Sequence, residues 1–110
     1  MNPRAFQIQP QDNVATLVED APVGRVQIIG AAAGEVMALE SVAHGHKIAL
    51  TDIAAGEAVI KYGVRMGRAT QPILHGDWVH LHNMASDYDQ RSSTLDQQSG
   101  APTDNNNAYV

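Results

Sequence analysis

The chain has no cysteine among its 110 residues, which excludes disulfides, thiolate nucleophiles and thiolate metal sites together. A metal would need histidine, carboxylate or backbone oxygen instead. Basic residues are also few: seven Lys and Arg stand against twelve Asp and Glu, for a formal net charge of −5 and an isoelectric point near 5.3. The basic residues are scattered, so the electrostatic field that a nucleic-acid binder needs is missing. No apolar run approaches the length of a membrane span. The opening "MNPRAFQIQPQDN" lacks the apolar core of a secretory signal, and the protein reads as cytoplasmic, with no nucleic-acid or membrane partner.

At this length the chain is one domain with a modest core and no room for a deep enzyme cleft of its own. Glycine organises its middle. In "APVGRVQII", "VAHGHKIAL", "IAAGEAVIKY" and "ILHGDWVHLH" a small or apolar residue precedes a glycine by three places and a strand-like run follows. Each reads as a tight turn feeding a short strand, with Gly24, Gly45, Gly56 and Gly76 free to take positive φ. The spacing is irregular, so this is a compact β domain and not a solenoid. Further strands are expected around Phe6–Gln9, Val14–Glu19 and Gly34–Leu39, although "GEVMALES" also suits helical spacing over Glu35–Glu40. Gly63 and Gly67 bracket another turn, and Pro72 opens a strand or its lead-in. From Asp87 the sequence turns to Asp, Gln, Ser and Asn with almost no aliphatic residues. Residues 1–86 are therefore read as a mainly β domain and 87–110 as a polar, disordered tail.

Three polar segments carry candidate chemistry: "HGHK" (His44–Lys47), "KYGVRMGR" (Lys61–Arg68) and "HLHN" (His80–Asn83). On a strand, Trp78, His80 and His82 would share one face, the two imidazoles about 7 Å apart. Such a pair could grip a metal, hold an acid, or simply solvate an open face. Two histidines alone are one ligand short of a usual catalytic metal site. Alternation sets Lys47 opposite Ile48 and Leu50, pointing outward, and separates Lys61 from Ile60 and Tyr62. If the segments meet, ammonium groups and an arginine would suit a carboxylate, with His and Asn bonding hydroxyls. The plainer readings are solvated strand charges for the lysines and polar turn residues for His44 and His75. No Ser/His/Asp arrangement and no phosphate-cradling loop is present.

Taken together, "DNVATLVEDAPVG", "GHKIALTDIAAGEAVIKYG", "MGRAT" and "GDWVHLHN" resemble, in order over roughly residues 8–84, the SAF-type domain of the altronate and galactarate dehydratase family. The resemblance implies a β-clip fold and work on sugar acids, converting an aldonic or aldaric acid to a 2-keto-3-deoxy acid. It further implies a divalent metal, iron being the expectation, held mainly by a large catalytic partner subunit. The matching positions suggest His46, His80 and His82 as catalytic residues. Lys47, Lys61, Tyr62, Arg65 and Asn83 are then the substrate-binding residues. Two alternatives remain open: the alpha subunit of a sulfolactate sulfo-lyase, which expels sulfite, and a stand-alone sugar-acid binding module. Homo-oligomerisation is left open as well.

Overall fold

The computed structural model describes residues 2–87. Of the expected tail, 87–110, all but Asp87 lies outside them. The described chain is mainly β, as expected, with nine strands: β1 (Arg4–Gln7), β2 (Val14–Leu17), β3 (Gly24–Gly30), β4 (Gly34–Ala38), β5 (Lys47–Ala49), β6 (Ala58–Lys61), β7 (Val64–Ala69), β8 (Trp78–Val79) and β9 (Met84–Ser86). Six of them form one sheet in the order β4-β3-β1-β2-β5-β8, and the other three form a second sheet, β6-β7-β9. Only β1 and β3 run parallel among the paired strands; the remaining pairs are antiparallel.

"GEVMALES" is a strand and not a helix over its first half. Val36 and Ala38 alternate as buried residues with exposed Glu35 and Met37, and the run pairs with β3 from Gly24↔Ala38 to Ile28↔Gly34. Both periods fit so short a run, and pairing with β3 decides between them.

Three of the four glycine motifs are copies of one turn. In each, the residue after the glycine donates its backbone N–H to the carbonyl two residues before the glycine: His46 to Ala43 at 3.0 Å, Glu57 to Ala54 at 2.9 Å and Asp77 to Leu74 at 2.8 Å. The glycines sit at φ +85°, +88° and +95°, a left-handed conformation that costs an L side chain strain. Two of the turns cap themselves, since the Glu57 and Asp77 carboxylates accept from Ala54 N and Leu74 N, both at 2.8 Å. The motif at Gly24 differs: this glycine, at φ +135°, is the first residue of β3.

One face of the large sheet is covered by an apolar cluster, and the other is covered only around β2, β5 and β8. Ala15, Leu17, Ile48 and, from β3 and β4, Val26, Ile28, Val36 and Ala38 form one apolar cluster, with Trp78 and Leu50 packed against it. Val14, Ala49 and Val79 point the other way and join Ile53, Val59, Ala69, Ile73 and Met84 in a second cluster. Burying each such side chain contributes on the order of 1.5–3 kcal/mol. Neighbouring β5 residues therefore alternate between two interiors, and neither side of β5 at Lys47 or Ile48 meets water.

Candidate functional site

The residues of "WVHLHN" come together, though by a different route from the one alternation predicts. Strand β8 ends at Val79. Residues 80–83 form a turn in which Asn83 N and Met84 N both donate to the His80 carbonyl, at 3.1 and 2.9 Å. The Asn83 side chain, only 3% exposed, clamps this turn: its Oδ1 accepts from His80 N and its Nδ2 donates to the Trp78 carbonyl, each at 2.9 Å. The turn brings both imidazoles onto the indole. His80 stacks on Trp78 at 5.1 Å between centroids and 14°, and His82 lies 4.8 Å away at 40°.

His46 joins them from the turn before β5. Its ring lies 4.9 Å from His80 and 5.7 Å from Trp78, and Trp78 Nε1–H donates to His46 Nδ1 at 3.1 Å. His46 and Trp78 also wall an open cleft of about 590 Å³, whose other lining residues run over Asp20–Pro22 and Ser41–Ala43. His44 and His75 stand apart as exposed turn residues; their backbone N–H groups donate to Asp20 and Asp52, both at 2.8 Å.

Lys47 corrects the outward orientation expected of it. It does face away from Ile48, but that side holds the second apolar cluster, so Lys47 is 1% exposed and its Nζ has no hydrogen-bond partner. Its cross-strand neighbours are Thr16 and Val79, and Thr16 Oγ1 is likewise buried without a partner. Burial first, and the charge of Lys61 second, push the Lys47 ammonium down to about 8, since a low dielectric penalises the charged form. The same influences reach His80: burial, then the charges of His46, Lys47 and His82, lower its pKa below the ordinary imidazole value. His80 Nδ1 is a further buried atom with no partner. These couplings link the "HGHK", "KYG" and "HLHN" segments through space.

Lys61 is half-buried, its Nζ 4.9 Å from the centroid of the Tyr62 ring. Tyr62 and Gly63 form the two-residue turn between β6 and β7, with φ of +61° and +72°, the signature of a type I′ hairpin. Tyr62 is 54% exposed. Arg65 pairs with Asp87 at 3.3 Å.

Two residues that hold this hairpin in place were not singled out by chemistry. Asp12, 5% exposed, accepts from Gln9 N, Tyr62 N and Gly63 N at 3.0, 3.1 and 2.7 Å. Asn13 accepts from Ile60 N at 2.7 Å and donates to the Ala58 carbonyl at 2.9 Å. The available signal was an Asp-Asn pair directly before an apolar strand, where short polar side chains satisfy nearby backbone.

No helix among the described residues is long and apolar enough to cross a membrane. Comparison with known proteins places these features in a family. The altronate dehydratase of Escherichia coli strain K12 is 42% identical over 88 residues, which cover 77% of this chain and 17% of that enzyme. The galactarate dehydratase (L-threo-forming) of the same organism is 36% identical over 84 residues, or 70% of this chain and 14% of the enzyme. The alpha subunit of (2R)-sulfolactate sulfo-lyase from Chromohalobacter salexigens is 35% identical over 79 residues, or 59% of this chain and 84% of that subunit. The chain thus spans about one sixth of the length of the dehydratases and most of the length of the alpha subunit. Residues 3–87, nearly all of the described structure, match the altronate/galactarate dehydratase SAF domain, and the chain belongs to that family.

Proposed function

We propose that this chain is the small subunit of a sugar-acid dehydratase, forming its active site jointly with a large catalytic polypeptide in the cytoplasm. The observation that carries the reading is a cluster of basic side chains with no ion pair of its own, although the Asp20 carboxylate lines the adjoining cleft and that of Glu40 accepts from Trp78 N. In a chain of net charge −5, Lys47, Lys61, His46, His80 and His82 gather together, while the three ion pairs of the described residues lie elsewhere, at Arg4–Glu19, Arg25–Glu35 and Arg65–Asp87. A cluster of this kind suits a carboxylate ligand. Its match to most of a separately encoded alpha subunit supports the small-subunit role.

In the dehydration, a base of the shared site takes the proton α to the carboxylate, and the β-hydroxyl takes up a proton and leaves as water. The resulting enol then becomes the ketone of a 2-keto-3-deoxy acid. Lys61 holds the acid group, while Lys47, sealed beneath the surface, contributes field and not contact. His46, His80 and His82 orient hydroxyls or deliver a proton to the leaving oxygen. The divalent metal expected from the family does not fit this chain's own donors. No group of three or more His, Asp or Glu among the described residues could hold one, and the His46 Nδ1 lone pair is already taken by Trp78. That metal is assigned to the large subunit, and none of these steps is routed through it.

A second reading is favoured by one observation, the 84% coverage of the sulfo-lyase alpha subunit. There the same α-proton removal would expel sulfite. Co-purification with the tagged chain from its native cell tests both: one large protein in fixed ratio is expected, and that complex should release a 2-keto acid from altronate or galactarate without sulfite. Sulfite released from sulfolactate would instead favour the second reading. If the chain binds a sugar acid alone and retains no large protein, it is a stand-alone binding module and the proposal fails.

A further inference from the structure

His46 occupies the one position where the repeated turn breaks its own rule. The residue after the glycine is a carboxylate in two of the three turns, where Glu57 and Asp77 each cap the N–H three residues back. In the third turn that residue is His46, whose side chain makes no such cap; the Asp20 bond to the His44 N–H at 2.8 Å matches the Asp52 bond to the His75 N–H in the Gly76 turn and does not replace it. The imidazole meets Trp78 instead, whose indole N–H donates to its Nδ1 at 3.1 Å. An indole nitrogen can only donate. The accepting Nδ1 must therefore carry a lone pair, and in the neutral ring the proton sits on Nε2.

We infer that Trp78 is a positioning residue that locks His46 as an Nε2–H hydrogen-bond donor, so that the cluster presents a donating His46 beside an accepting His80. His46 cannot take a proton at Nδ1 without expelling the indole, so what it offers an acid substrate is a donor for a carboxylate, hydroxyl or developing enolate oxygen. His80, stacked on the same indole and 4.9 Å from the His46 ring, keeps a buried Nδ1 with no partner. Burial, the largest influence, also holds it toward the neutral form, which can accept a proton. A single tryptophan thus divides two otherwise similar imidazoles into opposite roles. The catalytic half of this inference rests on the proposed function; the tautomer does not.

The full-length chain, with ¹⁵N-labelled histidine, tests the tautomer by two-bond proton–nitrogen correlation, His46 being assigned from the resonance lost in His46→Gln. The expected result is a single His46 tautomer, with Nδ1 bare and Nε2 protonated, that becomes a mixture in Trp78→Phe. The phenylalanine keeps a ring against the apolar cluster and removes the N–H donor, together with part of the surface on which His80 and His82 pack. A protonated Nδ1 in the unsubstituted chain, or a tautomer unchanged by Trp78→Phe, would overturn the inference. In the co-purified complex, Trp78→Phe should lower kcat about fivefold with KM nearly unchanged, the scale of one lost neutral hydrogen bond. An unaltered kcat would overturn the positioning role. An unsubstituted complex without lyase activity would count against the proposed function alone, because the spectrum decides the tautomer by itself.

Discussion

Lys47 is a charge held where charge is costly. Its folded pKa of about 8 lies below the ordinary lysine value of 10.5, so between those two pH values the unfolded chain binds more protons than the folded one. Stability should therefore rise with pH across that window, and the penalty is largest below it. Lys47→Met, which keeps most of the volume and removes the charge, should stabilise the domain by about 2 kcal/mol at pH 7, with the gain fading toward pH 10.5. Urea denaturation at the two pH values checks this; a destabilised variant at pH 7 would show that the ammonium is satisfied after all. Alternation in the sequence correctly set Lys47 opposite Ile48. It did not show the burial, because period tells which face a residue takes and not what covers that face. The histidine cluster was legible for a similar and partial reason: residues two apart do gather on Trp78, but a turn clamped by Asn83 brings them there. The indole–imidazole bond between Trp78 and His46 joins residues 32 positions apart, and no local pattern could announce it.

At the level of elements, the glycine turns were the clearest signal in the sequence. A positive-φ glycine followed by a strand-like run is a local feature, independent of the rest of the fold. Gly76 and Gly45 separate its two ingredients. Both have positive φ, but a Cβ on Gly76 would land on the Met37 carbonyl, whereas nothing lies within 4 Å of one on Gly45. Gly45→Ala should cost about 1 kcal/mol from backbone strain alone. Gly76→Ala should cost about 3 kcal/mol or more, since the loop before β8 must also move off β4. Equal losses in a denaturation series would contradict that packing. The β6–β7 hairpin depends in the same way on Asp12, and Asp12→Ala, which orphans three N–H groups, should cost about 2–3 kcal/mol. Faster amide exchange at Tyr62 and Gly63 than elsewhere in the hairpin is the expected signature; unchanged exchange there would dismiss the clamp. The strand at Gly34–Ala38 was ambiguous from sequence because its partner β3, not its own composition, selects the extended form.

For the molecule as a whole, the two-faced sheet explains why so small a chain can concentrate cations. Burying Lys47 between the second cluster and the polar edge places a positive charge behind His80 and Lys61, where an anionic ligand and a partner's surface would complete it. The family was legible because its motifs recur in order along the chain, while the substrate was not, because relatives with this same domain bear different activities in their names. The measurement that tests the shared-site account most directly is turnover of the co-purified complex carrying His80→Gln, compared with the unsubstituted complex. The account predicts that kcat/KM falls about a hundredfold, the scale of a lost proton-transfer group, while the complex stays assembled. An assembled complex with unchanged kcat/KM would place the chemistry entirely on the large polypeptide and contradict a shared site.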